Sequence, residues 1–271
     1  MNSLLRKLAI LGLSLGLMVT YSFAAHAAPA AKQNSFFYDS EELNEFFVDH
    51  SLWDELLKKY VSDHPSGISR FDYDGVTAAD KARIEEYLAM LEQLDPRQMS
   101  MGTQKPYWLN LFNASLIWQV IDSEPETSIK EISSRVLWRK KRLYISMQDV
   151  SLDTIEHGIL RTNFDDPRIH FGITGGTLGS ANILNTAYTQ ENVEQLLEQN
   201  TRDFLNHPRG LSFDKGRPTL STIFKWYSKD FGARADDIKA FVAKYLSDEK
   251  KQLWNDARRF GYSYDWGLNK P

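Results

Sequence analysis

Three stretches of this sequence hold side chains that can do chemistry. Glu156 and His157 stand together, and His170 follows a short way on. A histidine behind a carboxylate can act as a general base, the acid fixing its tautomer. Adjacent helical residues do not face one another, so Glu156 is a poor partner for His157 on a helix. A buried histidine satisfied by backbone is the commoner arrangement. His170 sits between Ile169 and Phe171. On a strand it points away from them, toward a core or a cleft. The second stretch is Gly175-Gly176-Thr177-Leu178-Gly179-Ser180. Its glycines, Gly175 and Gly176 first, let backbone approach a ligand or form an anion-binding nest. A tight surface loop is the plain alternative. Ser180 is a candidate nucleophile, with His157 or His170 as base and the loop supplying N–H donors to an oxyanion. The third stretch places Asn110 and Asn113 on one face of an apolar helix. Buried amides need partners, so the two either orient a catalytic histidine or pin a neighbouring loop.

Other chemistries are excluded by what is missing. The chain has no cysteine. Thiol catalysis, cysteine-ligated zinc, haem attachment and iron–sulfur clusters are therefore out of reach. The glycine-rich stretch lacks the lysine of a phosphate loop and is neither the dinucleotide fingerprint nor G-x-S-x-G. No H-E-x-x-H occurs, and the remaining acids and histidines show no firm metal spacing. Asp72-Tyr73-Asp74-Gly75 begins like a calcium loop but lacks the bidentate glutamate, and reads as a turn. Neither a cofactor nor a metal is expected.

The elements that must position these residues follow from periodicity. Met1 to Lys7 is basic, Leu8 to Ala25 is apolar, and Ala25-His26-Ala27 ends small-x-small. That is the pattern of a signal peptide, and cleavage after Ala27 is expected. Residues 28–35 read as a short flexible segment, and residues 36–271 as one globular domain. Without Arg6 and Lys7, 30 basic residues face 36 acidic ones, a net −6. Such a balance gives no reason to expect nucleic acid or an anionic membrane as partner. Residues 40–61, 77–94 and 107–121 read as helices, the last apolar nearly all round and so central. Residues 142–145 and Val150 read as a short strand pair, and Ser151 caps the helix that carries Glu156 and His157. Residues 168–174 read as a strand. Thr189 caps a helix over 190–205, strands flank the Lys215-Gly216 turn, helices follow over 223–231 and 236–246, and residues 260–266 are aromatic and irregular. The fold class expected is α+β: one mostly helical domain with a small, largely antiparallel sheet.

Several segments resemble a known family. Tyr107-Trp108-Leu109-Asn110-Leu111-Phe112-Asn113-Ala114, Ser151 to Arg161, and Asp166-Pro167-Arg168-Ile169-His170-Phe171 are similar, in order, to motifs of the family called domain of unknown function 547. So are Ala187-Tyr188-Thr189, Ser221 to Tyr227 and Tyr264 to Asn269. The resemblance implies a fold and a site location, and adds Tyr188 to the binding candidates. It departs at one place. Gly175 and Ser180 stand where the family usually has two cysteines, and Ala181 and Asn182 replace its prolines. Any thiol chemistry of the family is closed to this member.

The expected function is that of an exported protein, periplasmic or secreted, with no stable membrane anchor. It binds a small molecule, a peptide or an envelope protein in a retained pocket. The alternative is an envelope hydrolase or transferase using a histidine base and Ser180. Near the site, Arg168 and Glu156 are expected to form a partly buried ion pair.

Overall fold

The computed structural model describes residues 28–44 and 46–271, so the expected leader lies outside the described residues. The first two α-helices pack against each other. In α1, Ser51–Tyr60, the side chains of Trp53, Leu56, Leu57 and Tyr60 form one buried face. Residues 40–44 and 46–50, expected to be helical, are not. Strands β1, Val61–Ser62, and β2, Arg70–Phe71, make a minimal antiparallel pair. Helix α2, Ala78–Glu92, starts where the Thr77 side chain accepts the Asp80 N–H, and buries Ile84, Leu88 and Leu91 at helical spacing.

Helix α3, Met101–Ser123, is the axis of the molecule. Ser100 caps it, and from Thr103 to Ile117 every residue is buried. A helix that is apolar all round has no solvent face to offer and must be surrounded. The hairpin of β3, Leu143–Ile145, and β4, Gln148–Val150, follows. Ser151 then accepts the Thr154 N–H and opens a π-helix, Thr154–Leu160, which runs into the helical turn α4, Arg161–Asn163.

The expected strand over 168–174 is instead the helical turn α5, Ile169–Gly172. The Asp166 side chain accepts the Arg168 N–H, and the Asp166 carbonyl accepts that of Ile169. These bonds wind the chain as it leaves Pro167, and a four-residue apolar run carries no periodicity of its own. Helix α6, Val193–Asn206, starts at Asn192 rather than Thr189. Strands β5, Leu211–Asp214, and β6, Arg217–Ser221, pair antiparallel. Helices α7, Ile223–Trp226, α8, Ala235–Tyr245, and α9, Asp248–Asp256, lead to β7, Gly261–Ser263. β7 lies parallel to β6, where an irregular segment was expected.

The architecture is α+β, with small and mostly antiparallel sheets. One apolar core surrounds α3; a second gathers Phe171, Phe204, Phe224, Phe231 and Trp254. No helix among the described residues is long and apolar enough to cross a membrane.

Candidate functional site

A cavity of about 720 Å³ opens where the two cores meet, touched by Phe112 and Ile173 from the first and Ile223 from the second. Asn113, behind its lining, fixes the bend that enters it. Its amide donates to the Gly172 carbonyl at 3.0 Å and its oxygen accepts the Thr174 N–H at 2.8 Å. One side chain thus holds both sides of the bend that delivers the glycine-rich stretch. Asn110 does the same for Tyr188, donating to its carbonyl at 2.7 Å and accepting its N–H at 3.1 Å. Both amides pin loops, and neither touches a histidine. Tyr188 is buried against α3 and does not line the cavity.

The π-helix brings Glu156 and His157 onto the cavity wall together. Its wider turn is marked by the Arg161 N–H bonding to the Glu156 carbonyl. The two side chains still do not pair, since His157 Nε2 lies 3.9 Å from the Glu156 carboxylate and 3.9 Å from that of Asp153. His157 Nδ1 is 3.1 Å from the Arg161 guanidinium. A guanidinium only donates, so Nδ1 accepts and the ring proton sits on Nε2. Burial, helped by the Arg161 charge, pushes His157 down to about 4, and the ring is neutral at pH 7.

His170 lines the same cavity and donates from Nε2 to Asp230 at 2.8 Å. Arg161 grips the same carboxylate with two bonds, of 2.6 and 2.8 Å. Burial alone would raise Asp230, but the bonds from His170 and Arg161 together outweigh it and hold the carboxyl at about 2. The Tyr227 ring stacks against His170 at 4.0 Å and lies 5.0 Å from the Arg161 guanidinium. Glu156 is only 6 % exposed, and its Oε1 has no hydrogen-bond partner. Burial pushes its pKa up, against the opposing pull of His170, Tyr227 and Arg161.

Ser180 faces the cavity but is committed elsewhere. Its Oγ donates to the Thr177 carbonyl at 2.8 Å, and no imidazole is bonded to it. Gly175 lines the cavity beside the Tyr264 hydroxyl, which is 2.7 Å from Thr177 Oγ1. Gly176, at φ +65°, makes the bend that only a glycine takes without strain, and packs toward Leu116 and Tyr73 instead. The expected pair of Arg168 and Glu156 does not form. Arg168 folds back on Asp166, two residues away, at 2.8 and 2.9 Å, and also meets Glu194. That cluster, joined by Lys105, lies outside the cavity lining.

Two further parts complete the site. Trp226, Tyr264 and Trp266 form an aromatic wall with ring centroids 4.7–5.3 Å apart. Residues 28–34 run as a strap along the π-helix. The Ala28 N–H donates to the Trp226 carbonyl, Arg161 to the Pro29 carbonyl, Lys32 N–H to the His157 carbonyl and Asn34 N–H to the Gly158 carbonyl. Asp230, Arg161, Tyr227 and the aromatic wall were not singled out as site residues from sequence. The signals for the aromatics are the aromatic run over residues 260–266 and the resemblance over Ser221 to Tyr227 and Tyr264 to Asn269. Among the described residues no three acids or histidines gather into a group that could hold a metal ion.

No curated protein and no solved structure matches the chain. Residues 96–205 match the family described as "Protein of unknown function, DUF547". That span carries α3, the π-helix, both histidines and the loop to Ser180, but neither Asp230 nor the aromatic wall. Over that span the chain is similar to the DUF547 family.

Proposed function

We propose that the chain is exported, is cleaved after Ala27, and serves in the periplasm or outside the cell as a binding or accessory protein. Its cavity takes a small molecule or one end of a peptide or envelope partner. The observation that carries this reading is the state of Ser180. Ser180 lines the cavity, yet its hydroxyl donates to a backbone carbonyl. Neither histidine activates it. The cavity size is that of small-ligand sites, and its aromatic wall with a few polar groups suits binding. A fluorophosphonate probe tests the nucleophile directly. No labelling is expected; labelling that disappears in Ser180→Ala overturns the binding reading. Intact-mass measurement of the periplasmic fraction tests export, and a full-length species pelleting with membranes refutes it.

One observation favours a second reading, that of an acid–base hydrolase or transferase. Glu156 is a cavity carboxyl whose pKa burial raises, as suits a general acid. Turnover of an ester or glycoside that is lost in Glu156→Gln but kept in Ser180→Ala would select it.

A further inference from the structure

The strap reaches the site at Ala28, whose nitrogen changes chemically when the leader is removed. Ala28 and Pro29 both line the cavity. In the uncut chain the Ala28 nitrogen is a peptide amide with one hydrogen, which the Trp226 carbonyl takes at 3.1 Å. After cleavage at Ala27 the same nitrogen is an α-ammonium with three hydrogens and a positive charge. One hydrogen stays on the Trp226 carbonyl, and two are new donors at the cavity wall. An α-amino group of this kind titrates near 8, so it is charged at neutral pH.

The surrounding charges leave this cation in need of an anion. Asp230 is held by Arg161 and His170. Asp153 lies 3.4 Å from Arg139. Burial disfavours the charged form of Glu156, and His157 is neutral at pH 7. Arg161 is turned to Asp230 and the Pro29 carbonyl, and Lys32 on the strap is exposed. Lys130 lies over the Trp266 ring at 4.6 Å. Beside them stand the faces of Trp226, Tyr264 and Trp266, which suit an apolar or aromatic body.

We infer that removal of the leader puts the α-ammonium of Ala28 into the cavity wall as the group that holds the carboxylate of a small, partly apolar ligand. The carboxylate belongs to a free organic acid or to the C-terminus of a peptide. This inference rests on the binding reading above and on cleavage after Ala27.

The test compares the exported protein with one carrying a single alanine inserted after Ala27, which turns the Ala28 nitrogen back into an amide. Intact mass fixes both N-termini. Titration calorimetry uses phenylacetate, an acetylated tripeptide ending in phenylalanine, its C-terminal amide, and the neutral analogue 2-phenylethanol. Tighter binding of one acid over the other identifies the source of the carboxylate. The mature protein is expected to bind a carboxylate at least tenfold more tightly than the inserted variant does. In the mature protein that affinity falls as pH passes about 8, where the α-ammonium loses its proton. The pH series needs only the mature protein, so it stays decisive if the added residue displaces the strap. Equal affinity in both proteins, or an amide bound as well as its acid, overturns the inference. Binding of the neutral analogue with no preference for the acids overturns it while leaving the binding reading intact. No binding by any of the four, together with ester turnover, sinks both.

Discussion

Asp230→Ala probes the charged centre of the site most sharply. The carboxylate ties its own turn to two elements far from it in sequence, bonding Arg161 at the end of the π-helix and His170 in α5. The Arg161 side chain is 3 % exposed, and that of Asp230 16 %. The fall of Asp230 from 3.8 to about 2 is worth about 2.4 kcal/mol in favour of its charged form. Truncation removes that and also leaves a buried guanidinium without its counter-ion. Breaking one side of a buried pair in this way costs about 3–5 kcal/mol. Asp230→Asn keeps a carbonyl that can accept from Arg161, and should cost about 1–2 kcal/mol. The folded pKa lies below the unfolded one. The contribution is therefore complete above pH 3.8 and is lost as pH falls through about 2. Urea denaturation at pH 7 measures both variants. A loss below about 1 kcal/mol for Asp230→Ala, with the denaturant slope unchanged, would show that this network does not hold the site.

Three more outcomes follow from the packing. Phe112, 1 % exposed in the middle of α3, should cost about 3–5 kcal/mol when cut to alanine, and a change under about 1 kcal/mol in denaturation would place it outside the core. His50 and His157 are both depressed by burial to about 4, so the unfolded chain takes up their protons first; stability should decline as pH falls from about 6.5 to about 4, by up to about 3 kcal/mol for each, and a flat denaturation midpoint across that window refutes it. A Cβ on Gly179 would stand 2.6 Å from the Asp265 carbonyl oxygen, and Gly179→Ala should destabilise by about 1–3 kcal/mol in thermal or urea unfolding; a neutral result would mean that the C-terminal segment yields freely.

Much of the architecture is legible in the sequence because it rests on local signals. Helix α3 is apolar on every side, and such a segment can only be a core helix. The β3–β4 and β5–β6 hairpins carry their turn residues with them. The Ile169–Gly172 turn is not legible, because a short apolar run fits strand or helix equally well and the bonds from Asp166 decide it. The site divides the same way. Glu156, His157, His170, Gly175 and Ser180 stand close in sequence, and the structure brings them to one cavity. Arg168 fails as a partner for Glu156 because an acid two residues away captures it first. Asp230 is invisible in the sequence, since ion pairs closed between positions 60 and 69 apart leave no periodicity or motif.

The strap also sets an order of events. Its carbonyl partners are His157, Gly158 and Trp226, so residues 28–34 bond to segments made far later. Every one of those bonds closes a loop of more than a hundred residues, and such closure is opposed by chain entropy until the intervening elements have condensed. The π-helix, α7 and the turn carrying Asp230 must therefore be in place before residues 28–34 have anywhere to lie. The piece that is made early docks last, and one wall of the cavity remains missing until nearly the whole chain has folded.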